Sequence, residues 1–306
     1  MKARAFIILP LAAMLCCCGD GTSTSPQPAV PQMPTQLDNA DTQNFSGNNA
    51  YVHCAALCAL GPRVSGTPAY RKQLEYLERQ LSAAGWRTFR DAFSAPNGTP
   101  MVNLRATFGG ADAARAILLS CHIDTKSGIE NFVSADDGAS GAAVLLEVAR
   151  ILAADEKLAA RVELVFLDGE EAFAPRMSEQ DGLYGSKHDV ARRKGALPKF
   201  QINLDMVGDN NPVQYVEVSD AGNVGFTRME EMNVSNHYFQ SFNRGQLAGN
   251  SDHYPFAQKG VPCILFENEE GDAFPFYHTY HDDMAHFRFD TYGPLFRLLT
   301  DFVNQK

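Results

Sequence analysis

The chain has 306 residues and a formal net charge of -10 at pH 7, from 36 acidic and 26 basic side chains. Nothing basic is clustered strongly enough to indicate a nucleic-acid partner, and the run of Arg192, Arg193 and Lys194 is interpreted as a solvated helix end. The seven cysteines indicate no disulfide framework, because three lie near the amino terminus and Cys54 and Cys58 would lie one helical turn apart.

The first 18 residues resemble a secretory signal. Lys2 and Arg4 precede an apolar stretch over 5–15, which is too short to span a bilayer as a mature helix. The ending Leu15-Cys16-Cys17-Cys18 is similar to a bacterial lipoprotein box, with Cys18 as the acylated residue. We therefore expect export to the periplasm or cell envelope, with the lipid anchor as the only membrane contact. Cleavage with free release is the alternative.

Two segments follow this leader. Residues 19–48 are rich in Ser, Thr, Pro, Gln and Asn and poor in large apolar side chains, so they are predicted to form a flexible tether. The remaining stretch, 49–306, has the ordinary size of a single folded domain.

The domain is predicted to open with two helices. Helix-favouring and apolar residues predict the first over 51–60, and apolar residues at helical spacing predict the second over 69–84, ending at Gly85. A loop rich in turn-forming residues, over 61–68, separates them. Strands are predicted next, over 86–93, 101–108 and 116–121.

Strands and helices alternate in the rest of the chain. Helices are predicted over 138–153, 184–194, 252–258 and 291–303, and strands over 162–167, 200–204 and 261–266. This alternation predicts a three-layer α/β/α domain, in which a mostly parallel, twisted sheet carries helices on both faces. In such a sheet the ligand site lies at the carboxyl ends of the strands.

Two adjacent glutamates, Glu170 and Glu171, follow the apolar strand predicted over 162–167. Burying two like charges side by side is costly unless a cation or a reaction uses them. His122 follows another predicted strand, and Asp205 follows a third. These side chains therefore fall at the strand ends where a site is expected.

Further potential ligands lie between and after these strands. Asp136 and Asp137 precede the helix predicted over 138–153, although such a pair alone is well explained as a helix N-cap. His278 closes the set, and His281, three residues later, is an alternative to it on a helix. Carboxylates and imidazoles together suit zinc.

These motifs resemble those of the zinc-dependent aminopeptidase family and of its relatives, the glutaminyl-peptide cyclotransferases. The resemblance covers nearly all of the chain after about residue 50. It rests on His122-Ile123-Asp124, Asp136-Asp137-Gly138-Ala139-Ser140-Gly141, Glu170-Glu171, Asp205 and His278-Thr279.

The resemblance implies a metal site. The zinc that both branches share would be held by Asp137, Glu171 and His278. A second zinc, used by the aminopeptidases, would be held by His122 and Asp205, with Asp137 bridging the two ions.

The resemblance also implies catalytic roles. Glu170 would be the general acid/base in either branch, and in a cyclase Asp205 and Asp252 would hydrogen-bond the substrate and support proton transfer. The cyclases place tryptophans over the substrate at positions that match Arg176 and Tyr277, so Tyr277 is the expected substrate-binding residue.

The two branches imply different reactions on peptide or protein N-termini. A cyclase with one zinc would convert an N-terminal glutamine to pyroglutamate with release of ammonia, and an aminopeptidase with two would hydrolyse N-terminal residues. The long loop between Glu171 and Tyr184 favours the cyclase, whereas the missing tryptophans oppose it, because the only tryptophan, Trp86, is expected to pack beside its strand. A non-catalytic binding domain is disfavoured, since every ligand and Glu170 are present. Nothing in the sequence indicates an oligomeric state.

Overall fold

A computed structural model of the protein describes residues 45–109, 116–208, 215–218, 227–232, 243–245, 251–267 and 275–287. The predicted leader, nearly all of the predicted tether and the helix predicted over 291–303 lie outside these residues. Within them, no helix is both long and apolar enough to cross a membrane.

Helix α1, Gly47–Cys58, begins two residues before the predicted start of the domain at 49. The hydroxyl of its N-cap, Ser46, accepts a hydrogen bond from the backbone N–H of Asn49 at 3.3 Å. Helix α2, Pro68–Ala83, has Thr67 as its N-cap and proline in its first turn, where the missing N–H costs nothing. Its buried face contains the periodic leucines from which it was predicted, Leu74, Leu77 and Leu81.

The remaining helices are α3, Gly141–Leu152; α4, Glu156–Ala159; α5, Tyr184–Arg192; α6, over 227–232; and α7, Tyr254–Ala257. The strands are β1, Arg87–Ser94; β2, Pro100–Thr107; β3, Ile117–His122; β4, Val162–Leu167; β5, Phe200–Leu204; β6, Tyr215–Val218; β7, Asn243–Gly245; and β8, Cys263–Glu267. Each strand that was predicted lies within two residues of its predicted bounds. Helices α4 and α6 and strands β6 and β7 were not predicted.

All eight strands form one sheet, in the order β1-β2-β4-β3-β5-β8-β6-β7. The central strands β4, β3, β5 and β8 are parallel neighbours, as predicted. Antiparallel pairs join β1 to β2, β2 to β4 and β6 to β8, so the edges make the sheet mixed. The parallel centre aligns the carboxyl ends of β3, β4 and β5 on one edge.

The sheet buries side chains on both faces, which confirms the three-layer architecture. Alternate residues of a strand point to opposite faces, so β4 sends Leu164 and Phe166 into the main core and Val165 and Leu167 into a second core beside α7. Trp86 is 2% exposed and packs beside its strand, as expected, with its indole N–H donating to the Ala149 carbonyl at 3.0 Å. The four cysteines in the described part of the chain are buried and form no disulfide.

The predicted start of α3 at residue 138 is wrong. Residues Ala135–Ser140 form an irregular π-type turn, in which Asp137 has φ -78° and ψ 74° and Gly138 has φ 122°. A Cβ on Gly138 would lie 2.8 Å from the Asp124 carbonyl oxygen, so only glycine fits there. The regular helix begins at Gly141, and the turn before it takes Asp137 off the helical path.

The interpretation of Arg192, Arg193 and Lys194 as a solvated helix end is also wrong for Arg193. Its side chain is 7% exposed and donates to Asp189 at 2.7 Å and to Glu163 at 3.0 Å. Because Glu163 and Asp189 are themselves buried, they need a cation beside them. Lys194, one residue later, is exposed.

Candidate metal centre and active site

Two groups of potential metal ligands lie at the carboxyl edge of the sheet. One contains Asp137, Glu171 and His278, and the other contains His122, Asp137 and Asp205. In each group the ligand atoms lie within 4.8 Å of one another. The structure therefore brings together all five residues that were predicted from the sequence as ligands, and Asp137 belongs to both groups.

The first group centres on the ring of His278. Its Nε2 atom lies 3.0 Å from Glu171 Oε1 and 3.3 Å from Asp137 Oδ2. Burial alone would lower the pKa of His278, but its hydrogen bonds to Asp137 and Glu171 raise it to about 9. Two buried carboxylates and one imidazole that converge in this way have the donor chemistry of a zinc site. The competing ligand His281 is exposed.

A buried lysine completes the charge balance of this group. Lys126 is 6% exposed, and its Nζ atom donates to Glu171 Oε2 at 3.1 Å and to the Ala172 carbonyl at 3.1 Å. The ammonium group thus holds one Glu171 oxygen while the other faces His278. The sequence contains Lys126 within the His122 motif, but its role was not predicted.

The second group centres on His122. Its Nε2 atom lies 3.1 Å from Asp205 Oδ1 and 3.2 Å from Asp137 Oδ1. Burial opposes a charged ring, but Asp205 and the other nearby carboxylates raise the pKa of His122 well above its usual range. This group is the more deeply buried of the two, since all three of its members are buried whereas His278 is partly exposed.

Two further carboxylates hold the backbone that carries the ligands. Asp124 accepts the backbone N–H groups of Glu170 at 3.1 Å and Glu171 at 3.2 Å. Its distance to His122 Nδ1, 3.7 Å, is too long for a hydrogen bond that would orient this ring. Asp282, which was not predicted, accepts the N–H of Asp137 in the same manner at 3.1 Å.

Asp205 is held by a chain of buried hydrogen bonds. The Ser251 hydroxyl donates to Asp205 Oδ2 at 2.9 Å and accepts from Asn203 at 3.1 Å. Behind them, Ser120 donates to Asn203 at 2.7 Å and accepts from Gln201 at 2.9 Å. The signal was present in β5 and the residue after it, where Gln201, Asn203 and Asp205 alternate with apolar residues and therefore face one side.

Glu170 lies beside both groups and is 6% exposed. Burial raises its pKa well above the usual range of a carboxyl, and the nearby charges of Asp205, Glu171 and Asp252 add to this rise while His122 opposes it. A carboxyl group that holds a proton so readily can act as a general acid as well as a base.

Asp252 is fully buried and is not among the residues that line the cavity. Burial raises the pKa of Asp252 to about 7, although the hydrogen bond from the nearby Ser186 hydroxyl acts to lower it. Its predicted hydrogen bond to substrate stays a prediction. Asp252 can act on the reaction through its charge, which raises the pKa of Glu170.

The ligand groups open into a cavity of about 390 Å³. Glu170, Glu171, Asp205 and the first ligand group line its inner part, and Tyr277 and Arg176 also contribute to its wall. The ring of Tyr277 stacks on His278 with centroids 3.8 Å apart, so the predicted substrate-binding residue does lie at the cavity.

Left-handed backbone conformations occur at two residues that line this cavity, Met206 and His278. Among the described residues other than glycine, φ is positive at Ser134, Leu183, Met206 and His278, as well as at Asn131 and Lys194. Met206 follows Asp205, and His278 is itself a potential ligand. Such conformations cost about 1–3 kcal/mol each and persist where the surrounding contacts enforce them, often at functional sites.

Comparison with known proteins places these features in context. Residues 103–303 match Peptidase family M28. A glutaminyl-peptide cyclotransferase-like protein of Bos taurus is 31% identical over 284 residues, which cover 79% of this chain and 71% of that protein. Among solved structures, a glutaminyl cyclase of Porphyromonas gingivalis is 26% identical with a TM-score of 0.74, covering 85% of this chain and 98% of that one. A leucine aminopeptidase precursor of Bacteroides thetaiotaomicron VPI-5482 has a TM-score of 0.74 at 23% identity, covering 87% and 99%, so the fold alone does not separate the two activities.

Proposed function

The chain belongs to peptidase family M28, and from its relationship to the glutaminyl-peptide cyclotransferases we propose that it converts the N-terminal glutamine of peptides to pyroglutamate. The observation that carries this proposal is the 31% identity to a cyclotransferase-like relative over most of both chains. The buried, readily protonated Glu170 beside the first ligand group supports it, because the reaction needs a proton carrier.

We propose one catalytic zinc ion, held by Asp137, Glu171 and His278. When bound, the zinc supplies Lewis-acid polarisation of the γ-carboxamide carbonyl of the substrate. The convergent carboxylates and imidazole support this assignment, as does Lys126, which keeps one Glu171 oxygen occupied and the other directed towards His278.

Glu170 carries the proton in this reaction. The α-amine nitrogen of the glutamine attacks its own γ-carbonyl carbon, and the bond from that carbon to the amide nitrogen breaks. Glu170 takes the proton from the attacking amine and delivers it to the leaving nitrogen, which departs as ammonia. Its raised pKa suits it to both halves of this transfer.

Asp205 and Asp252 assist in different ways. Asp205 lines the cavity and is held by Ser251 and His122, so it is placed to accept a hydrogen bond from the substrate amine. Asp252 is fully buried and supports proton transfer through its charge, which raises the pKa of Glu170.

A two-zinc aminopeptidase is the alternative function, and the second ligand group is the observation that favours it. His122, Asp137 and Asp205 are complete as a ligand set. In that reaction Glu170 would take a proton from a water molecule instead of from the substrate amine.

Paired substrates test the two functions. We expect the purified protein to release ammonia and form pyroglutamate from a glutamine-initiated peptide, and to leave a leucine-initiated peptide intact. Trimming of the leucine-initiated peptide without pyroglutamate formation would establish the aminopeptidase instead.

Glu170→Gln is the matched variant for this assay, because it preserves the shape of the side chain and removes its proton transfer. We expect turnover to fall at least about a thousandfold while bound zinc, measured by elemental analysis, stays unchanged. Retained activity would remove Glu170 from the mechanism.

We also propose that the protein is exported and tethered to the cell envelope by a lipid on Cys18. The positively charged start, the short apolar stretch over 5–15 and the following cysteines support this proposal.

A further inference from the structure

The loop between Glu171 and Tyr184 forms a well-anchored wall of the cavity. The Asp181 carboxylate accepts the backbone N–H groups of Phe173 and Ala174, each at 2.8 Å, and the Tyr184 hydroxyl at 2.8 Å. These three bonds join the start of the loop to its end.

Other contacts anchor the same loop. The backbones of Ser178 and Asp181 pair with each other at 3.0 and 3.2 Å, and the N–H of Leu183 donates to the Glu170 carbonyl at 2.9 Å. Gly182 has φ 112°, and a Cβ there would lie 2.8 Å from the Met177 side chain, so the turn is tightly packed. The backbone of this loop therefore has a defined position at the cavity.

Arg176 is the exposed cation on this wall. No hydrogen bond or ion pair to Arg176 is present among the described residues. Lys126, which also lines the cavity, is buried and already bound to Glu171. Within the described part of the chain, the guanidinium of Arg176 is therefore open to a ligand, whereas the ammonium of Lys126 is not.

The position of Arg176 relative to the chemistry indicates which part of a peptide it meets. Glu170 and Glu171 are buried at the inner end of the cavity, and Arg176 is exposed at its outer part. An extended peptide advances about 3.3 Å per residue, so its second and third residues leave the inner end towards the outer wall. We propose that Arg176 is a specificity residue that binds an aspartate or glutamate carboxylate at the second or third position of the substrate.

This inference rests on the proposed function for the identity of the first residue. A guanidinium matches a carboxylate with two parallel hydrogen bonds, which distinguishes it from a lysine at the same place. The carboxylates at the inner end of the cavity, and Glu267, which also lines it, have the opposite effect. Their negative charge would favour substrates with basic residues at these positions. A substrate series therefore separates the two influences.

The test compares four peptides with amidated carboxyl termini, so that the only free carboxylate is the one under study: Gln-Glu-Ala-Ala, Gln-Ala-Glu-Ala, Gln-Ala-Ala-Ala and Gln-Lys-Ala-Ala. We expect kcat/KM for one or both acidic peptides to exceed that of the alanine peptide by about three- to tenfold, mainly through a lower KM. This advantage should shrink as salt concentration rises.

Arg176→Gln should bring the acidic peptides down to the value of the alanine peptide, and Arg176→Lys should restore part of the advantage. Arg87→Gln, which removes an equal charge from an exposed position on β1, is the control and should leave the preference intact. Equal kcat/KM for all four peptides, or a preference for Gln-Lys-Ala-Ala, would overturn the inference.

Failure of the proposed function gives a different result. In that case none of the four peptides would yield pyroglutamate. The affinity of the same peptides for the Glu170→Gln variant, measured by calorimetry, still reports the contribution of Arg176, because binding does not depend on turnover. Tighter binding of an acidic peptide that is lost in the Arg176→Gln double variant supports the inference, and equal binding rejects it.

Discussion

At the scale of single residues, carboxylates support the candidate metal centre from behind its ligands. Asp124 holds the backbone of Glu170 and Glu171, and Asp282 holds the backbone of Asp137. Each therefore fixes a ligand through its main chain and leaves the ligand side chain directed at the site. Groups of this kind do not touch the metal ion, but they commonly have a strong effect on metal affinity.

Asp282 provides the test at this scale. Burial and the nearby charge of Asp137 raise the pKa of Asp282 to about 7, and its two oxygens accept the N–H groups of Asp136 and Asp137. Asp282→Asn replaces one acceptor by a donor, so we expect zinc affinity to fall about 10- to 100-fold in a competition titration with a chelator.

Asp283→Asn is the matched control, because Asp283 is a neighbouring aspartate whose carboxylate accepts the backbone N–H of Ala285 at 2.8 Å and lies 3.3 Å from His286 Nδ1. Its zinc affinity should equal that of the unchanged protein. An Asp282→Asn protein with full zinc affinity would show that the turn carrying Asp137 is held by other contacts.

At the scale of elements, the contact between α1 and α2 depends on a neutral histidine. His53 of α1 is 5% exposed, and its Nδ1 atom lies 2.8 Å from the Tyr76 hydroxyl of α2. Burial, and secondarily the charge of Arg150, lower the pKa of His53 to about 4. Protonation of this ring is therefore resisted in the folded state.

The pH dependence of stability follows from this shift. The unfolded chain, with an ordinary histidine pKa near 6.5, binds a proton between pH 6.5 and 4 that the folded chain does not, so stability is lost as pH falls through this window. We expect His53 to contribute a loss of about 2 kcal/mol in the free energy of unfolding between pH 7 and pH 5, measured with urea. In His53→Gln the decrease should be smaller by that amount, and an equal decrease would contradict the assignment.

Elements were predicted with different success for physical reasons. Strands β3, β4 and β5 are continuous apolar runs bounded by polar residues, and such runs are legible without tertiary information. The end of the turn at Ala135–Ser140, from residue 138 on, was wrongly predicted as the start of α3. Its shape follows from the close approach of Gly138 to Asp124, which no local pattern encodes.

At the scale of the whole molecule, the parallel centre of the sheet gathers residues from distant parts of the chain at one edge. The ligand groups come from the ends of β3 and β5, from the loop after β4 and from the segments around 137 and 278. The main core and the second core on the opposite face hold these strands in register. The site is thus a property of the complete domain.

Tethering of that domain is tested with Cys18→Ser. We expect the unchanged protein to incorporate labelled fatty acid and to sediment with membranes, and the variant to be unlabelled and released. Cys16→Ser is the control and should remain labelled. Labelled Cys18→Ser protein, or unlabelled protein in every case, would reject the lipid anchor.

The sequence by itself determined the fold class, the strand ends and the identities of the ligand candidates. It could do so because apolar periodicity defines strands, and because parallel strands bring their carboxyl ends together. The family resemblance also rests on these local motifs.

Only the tertiary structure decided which neighbours each candidate has. It left His281 exposed, buried Asp252 completely and brought Asp282 to residues 145 and 146 positions away along the chain. Among the residues that the structure describes, it also left the guanidinium of Arg176 at the cavity wall without a hydrogen bond or ion pair. The physical reason is that hydrogen bonds, burial and pKa depend on distances between atoms, and residues far apart in sequence meet only when the chain has folded.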